Sequence, residues 1–203
     1  MTDNYAKIAR DNLEKLYNSL PADLAENLPA RQDGNQFIFD AFGETCLIGP
    51  EGIELGDGGH PTVLEILISL YALNARPDRP PVLQPFKSYK DFPDSMPYVA
   101  AFTSHTEQPL VPYVKEIEAS SGRIKEMLKG EDAPTEVSGD FSFLVYPLPK
   151  IALCYIFYEA DEDFPASCTC LFSNNAGLFL PIDALADVGE YTSRKIMEII
   201  GIQ

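Results

Sequence analysis

The sequence predicts an α+β fold: a largely antiparallel sheet packed against several helices, with a β-β-β-α unit at the C-terminal end. Three observations carry this expectation. Residues 2–20 repeat apolar side chains at helical spacing, and residues 36–48 alternate apolar and polar side chains around a glycine turn. Residues 140–200 then read as three strands followed by one helix, after a mixed first half. At about 150 residues per domain, 203 residues favour one domain. It is expected over residues 1–203, with an N-terminal helical segment 1–30 and a core 36–200.

The first helix can be capped by Thr2 or Asp3, and Tyr5, Ile8, Ala9, Leu13, Leu16 and Leu20 form its inward stripe before Pro21 ends it. A short turn of helix follows from Leu24 to Leu28. Gln36 to Ile48 reads as a β-hairpin turning at Gly43, and Gly49 to Gly59, rich in glycine and acid, reads as a loop. That loop has neither the Lys-Ser/Thr pair nor the glycine spacing of a phosphate cradle. Pro61 suits the first position of a helix whose apolar residues, Val63, Leu64, Leu67, Ile68 and Tyr71, mark it as the central buried one. Pro77, Pro80 and Pro81 end it.

Val82 to Pro112 is dense in proline and aromatics. It reads as a loop, a short helix near Tyr98 to Ser104, then a helix from about Pro112 to Ser120, with another from Gly122 to Leu128 stopped by Gly130. Asp140 to Tyr146 alternates as a strand, and Pro147 to Lys150 connects it to the apolar run Ile151 to Tyr158, which suits a strand covered on both faces. Cys168 to Phe172 is the third strand, Asn174 to Gly177 a turn, and Pro181 to Ile200 a closing helix with Leu185, Val188, Ile196 and Ile199 inward.

Charge narrows the partners. Acids outnumber bases 31 to 15, a formal net charge of -16, so the phosphates of nucleic acid and anionic membrane surfaces would repel the chain. No Lys or Arg stands between Arg31 and Arg76, or between Lys150 and Arg194, and each stretch holds seven acids. If the two stretches share a face, it would attract cations or a basic partner; a solvated surface is the simpler account. The N-terminus lacks the apolar segment of a secretory signal, and Val63 to Leu73 is too short to span a bilayer, so the expected setting is cytoplasmic. Four cysteines, none spaced Cys-x-x-Cys, read as buried free thiols, with Cys168 and Cys170 on one side of their strand.

Candidate site residues are few. Glu159, Asp161, Glu162 and Asp163 crowd four carboxylates into five residues, which can hold a hard cation or raise the pKa of one member. A charged turn leaving a buried strand explains the same residues. Phe86, Tyr98 and Phe102, with Tyr89 and Phe92, can line an apolar ligand pocket or simply pack. His105 follows Thr103 and Ser104, but adjacency in sequence does not make a triad. With two histidines, a histidine-rich metal site is excluded, and no catalytic residue or cofactor is assigned.

The string Phe157-Tyr158-Glu159-Ala160-Asp161-Glu162-Asp163-Phe164-Pro165-Ala166, followed by Leu171-Phe172, Leu180-Pro181 and Ala184-Leu185, resembles the family described as domain of unknown function 3786. So does the block Phe86-Lys87, Tyr89-Lys90-Asp91-Phe92-Pro93, with Tyr98 and Phe102; the likeness runs from about Phe37 to Ile200. The resemblance implies a cytoplasmic protein of anaerobic bacteria or archaea. Some members carry an added cysteine-rich iron–sulfur domain akin to those of corrinoid proteins, a block this chain lacks. The family has no established functional residues to carry over. The expected function is therefore a non-catalytic binding or accessory domain with an unidentified protein partner or small ligand, in the setting of anaerobic redox or corrinoid metabolism. A divalent-cation-dependent hydrolase built on residues 159–163 is the alternative, and a corrinoid or other tetrapyrrole pocket among the aromatics a third reading.

Overall fold

A computed structural model describes residues 2–76 and 79–202. The expected helix stop at Pro77 lies outside the described residues, as do the side chains of the expected caps Thr2 and Asp3. Helix α1 (Thr2–Asn18) lies against α3 (Thr62–Asn74). Its buried seam runs through Ala9, Asn12, Leu13 and Leu16, where the Asn12 amide donates to Ser69 Oγ at 3.1 Å. Ile8 lies at the edge of this seam and Tyr5 one turn before its first buried residue, so both, expected inside, are exposed. The short α2 (Leu24–Asn27) adds Leu24 to the same core.

The expected hairpin is the middle of a four-stranded antiparallel meander: β1 (Arg31–Asp33), β2 (Gln36–Ala41), β3 (Glu44–Gly49) and β4 (Gly52–Leu55). The residues read as a loop from Gly49 thus contain a strand, turned at Pro50-Glu51 by the pairing of Gly49 with Gly52. The β2–β3 turn has both central residues at positive φ, Phe42 at 52° and Gly43 at 80°. Such a turn matches the twist of the strands but normally takes Asn or Asp first. Phe37, Phe39, Cys46, Ile48 and Leu55 point into the core. Pro61 stands just before α3, not at its first position.

The proline-rich middle makes one two-residue strand, β5 (Lys87–Ser88), and the short helix α4 (Val99–Phe102). The chain then widens into one π-helical turn at Thr103–Glu107, tightens over Gln108–Tyr113, and continues as α5 (Val114–Ala119) and α6 (Ser121–Met127). The second sheet has the order β5-β9-β8-β7-β6, all antiparallel, with β6 (Glu131–Asp132), β7 (Phe141–Leu148), β8 (Ile151–Tyr158) and β9 (Ser167–Phe172). Strand β7 runs on to Leu148 through a bulge after Val145, beyond the connection expected at Pro147. Strand β8 is buried over seven of its eight residues, as a strand covered on both faces must be. One face of this sheet, with Phe143, Leu153, Tyr155, Phe157, Cys170 and Phe172, joins the main core beside α7 (Ile182–Ile199); the other carries a small cluster of Leu144, Cys154 and Ile156 against Phe86 and Val137. The fold is α+β, with two antiparallel sheets where one was expected. Among the described residues no helix is long and apolar enough to cross a membrane.

Candidate functional site

Helix α7 organises the polar geometry of the molecule. Ala184, Leu185, Val188, Thr192, Ile196 and Ile199 recur at helical spacing and are buried. This leaves Asp183, Asp187, Glu190 and Arg194 in one file at the flank, with Tyr191, Lys195 and Glu198 in the next. Two cavities border these files.

The first, of about 150 Å³, lies between α7 and the α4 segment and is lined by Tyr98, Phe102, His105, Asp183, Asp187 and Glu190. Three residues singled out in the sequence thus meet here. Their roles differ: Tyr98 and His105 are exposed, whereas Phe102 is 3% exposed and stacks on Tyr89 at 4.4 Å and 8°. His105 Nδ1 lies 3.1 Å from Glu190 Oε2, and Glu190 also pairs with Arg194 one turn on. Burial, then the neighbouring Glu190 and Asp183, push the Asp187 carboxyl up to about 6, with His105 opposing. The folded state therefore holds a proton that the unfolded chain, near its ordinary value of about 3.9, releases. The sign follows: stability falls as pH rises from about 4 to about 6, and the cost is complete above that window. Asp187→Asn should gain about 1 kcal/mol at pH 7, the part of the shift that survives solvent screening at a partly exposed site, and nothing near pH 4. Urea unfolding of both proteins at the two pH values checks it; an equal difference at both removes the assignment.

The second cavity, of about 250 Å³, lies between the β2–β3 turn, the loop leading to α3 and the later half of α7. Phe42, Leu64 and Tyr191 supply apolar wall, and His60, Arg194, Lys195, Glu44 and Glu198 supply polar wall. Gly58 and Gly59, at φ 86° and 80°, carry the loop past it in a conformation that side chains resist. Phe42 meets the cavity from the one strained position of its turn, and strain of that kind gathers at ligand sites. Lys195 Nζ donates to Glu44 Oε1 at 2.5 Å and lies 3.4 Å from Glu198 Oε2. Burial pulls the Lys195 ammonium down, but these carboxylates more than offset it and leave it above its ordinary value. His60 is the unusual member. Its Nε2 lies 3.3 Å from Glu65 Oε1, a charge contact when the ring is protonated, but neither buried ring nitrogen makes a hydrogen bond among the described residues. A buried unsatisfied polar atom typically costs about 1–3 kcal/mol.

The acidic loop is a different object. Asp161 Oδ1 accepts the backbone N–H groups of Asp163 and Phe164 at 2.8 and 2.7 Å, and Asp161 N–H donates to Phe164 O, so this carboxylate shapes its own turn. Asp161, Glu162 and Asp163 are exposed, Glu159 is half-buried, and none of the four lines either cavity. Among the described residues no group of three or more His, Cys, Asp or Glu side chains is arranged to hold a metal ion. Asp161→Ala should cost about 1 kcal/mol as a lost cap, and Glu162→Ala and Asp163→Ala less than about 0.5 kcal/mol each. Thermal melts with and without millimolar Mg²⁺ or Ca²⁺ check both; a metal-dependent rise in Tm that Asp161→Asn abolishes would restore the cation reading.

The central aromatics do not converge. Tyr89, Phe92 and Phe102 pack on Phe172 as core, while Phe86 lies with the cluster on the far face of the second sheet. The tetrapyrrole reading loses its lining residues accordingly. All four cysteines are free and buried; Cys154 faces away from Cys168 and Cys170, and burial pushes Cys46 and Cys154 up to about 12 and the other two well above the ordinary range, which keeps them as thiols. Beside Cys168 and Cys170, Glu107 accepts the Cys170 N–H at 3.0 Å, and burial raises its pKa.

The residues that sequence reasoning missed are Asp187, Glu190, Arg194, Lys195, Glu44 and His60. No curated protein and no solved structure matches the chain. Residues 21–195 match the sequence model of a family described as Domain of unknown function (DUF3786), a span from before the first sheet to within the last turns of α7. With that much of its length matched, the chain belongs to the DUF3786 family.

Proposed function

We propose that this chain is a non-catalytic binding domain, and that its ligand seat is the cavity between the Gly58–Pro61 loop and the later half of α7. The observation that carries this reading is His60: a half-buried imidazole whose two ring nitrogens are buried without a hydrogen bond among the described residues, on the wall of a cavity that also holds cations, carboxylates and apolar surface. A concave site with an apolar wall and a few convergent polar groups is the ordinary form of a small-molecule site. About 250 Å³ suits a molecule smaller than most drugs.

A water-soluble metabolite library screened by thermal shift tests this, with hits mapped by backbone amide exchange. The expected result is a hit that slows exchange in residues 56–61 and 191–198. Hits that protect only other segments, or a library that raises Tm nowhere, would overturn it. Work as a cytoplasmic accessory domain beside anaerobic redox or corrinoid enzymes rests on the family resemblance alone. Anaerobic pull-down from the native host tests that part, and recovery of no such enzyme at physiological salt removes it.

A further inference from the structure

We infer that the outer face of the first sheet docks a basic segment of a partner protein, a short extended stretch with an apolar side chain between Lys or Arg residues. Strand alternation turns Phe39, Cys46 and Ile48 into the core and leaves Ile38, Leu47 and Glu54 facing outward. The pairing of β2 with β3 and of β3 with β4 sets those three side by side in one row. Ile38 and Leu47 are half-buried and belong to neither core cluster, whereas Ile53, on the inner face, packs against the main one. The outer face thus has a small apolar centre that serves no core of this chain.

Two open clefts, of about 680 and 480 Å³, lie toward the two ends of the strands, and Leu47 and Glu54 border both. Glu44 and Asp57 stand in one, Asp33 and Glu51 in the other, and no Lys, Arg or His lines either. Glu44 is taken up by Lys195. Asp33, Glu51, Glu54 and Asp57 pair with no base among the described residues. Arg31 ends the same row at the opposite edge of the sheet from Glu54, and Lys129 is held by Asp40 at 3.4 Å. Unpaired carboxylates around an apolar centre complement a cation that brings apolar surface with it. The spacing selects a polypeptide. The acids at the two ends lie at least four strand residues apart, about 14 Å, too far for one metal ion or one small amine. In an extended segment, Lys residues four positions apart span the same distance, with the residue midway between them turned to the same side. A second copy of this chain, with its own net charge of -16, would be repelled, which favours a foreign partner.

The test titrates the full chain into a labelled heptapeptide, Lys-Lys-Thr-Leu-Thr-Lys-Lys, and follows fluorescence anisotropy in low-salt buffer. The peptide should bind, its counterpart with Glu for every Lys should not, and Ser in place of its Leu should weaken binding about threefold. Glu54→Lys should weaken it about tenfold, since one exposed attraction is lost and a repulsion gained. Glu162→Lys, in the acidic loop, makes the same change in net charge and should alter binding less than about twofold. Glu54 and Glu162 are both exposed, so both variants should keep the wild-type Tm. Equal losses in the two variants would overturn the assignment, because the attraction would then belong to the whole protein and not to this face. Absence of binding at about 1 mM protein would overturn it as well. So would a dimer of the chain in sedimentation that Leu47→Ser abolishes, since the face would then belong to a second copy. None of these outcomes bears on the cavity of His60, which the metabolite screen decides separately.

Discussion

Phe102→Ala is expected to destabilise the protein by about 3–5 kcal/mol, the range for emptying a buried aromatic site. The ring is 3% exposed, stacks flat on Tyr89 at 4.4 Å, and sits 5.6 Å from Phe172. Truncation would leave a void under the floor of the cavity that Tyr98 and His105 border. It would also release Tyr89, whose hydroxyl donates to Ile182 O at 2.8 Å and so ties the aromatic stack to the start of α7. Tyr98→Ala is the control: that ring is 39% exposed, and the substitution should stay within about 0.5 kcal/mol. Urea unfolding separates the two. A Phe102→Ala loss below about 1 kcal/mol would mean that the residue is a ligand wall after all and that the stack is not core.

Why Phe102 and Tyr98 looked alike in the sequence is instructive. Both stand in a segment dense in proline and aromatics, where no periodicity tells an inward ring from an outward one. The π-helical turn at Thr103–Glu107 then shifts every later side chain by part of a turn, which spacing rules for an α-helix do not follow. Where burial acts on both faces the letters are explicit. Ile151 to Tyr158 is legible as a strand because every position is apolar, small or aromatic, and all but the last are buried. Helix α7 was legible for the same reason on its inner stripe.

The short strands were not. β5 and β6 are two residues each, and what makes Lys87 a strand residue is its pairing with Phe172, a partner set by the tertiary fold. The cavity shows the same limit. His60 and Arg194 belong to elements whose approach depends on α3 and α7 packing on one core, and no local pattern encodes that approach. One signal was available: the abrupt return of two bases at Arg194-Lys195 after a long acidic stretch. Charge per residue was read as a surface property, when in this chain the break in the pattern coincides with the cavity.

Gly189→Val is expected to cost about 3 kcal/mol, the upper end for overpacking a filled core. Gly189 is buried in α7 opposite the α4 segment, and a Cβ placed there would stand 2.6 Å from Phe102 Cε2, 2.9 Å from Thr106 Oγ1 and 3.1 Å from Thr106 Cγ2. The glycine costs the helix about 1 kcal/mol of propensity relative to alanine, so its position answers to packing. With no side chain there, the π-helical turn comes close enough for Ser193 Oγ to donate to Thr106 O at 2.7 Å while sharing a 2.9 Å hydrogen bond with Tyr155 OH. A branched side chain would push these apart and leave buried polar groups without partners, adding desolvation to the steric cost. Gly189→Ala should cost less, since the gain in helix propensity offsets part of a smaller clash. If both variants match the wild-type unfolding midpoint, α7 is not held against the π-helical turn as described, and the geometry of His105 with Glu190 falls with it. A graded loss, smaller for alanine than for valine, would show that the glycine serves the close approach of α7 to Phe102 and the π-helical turn.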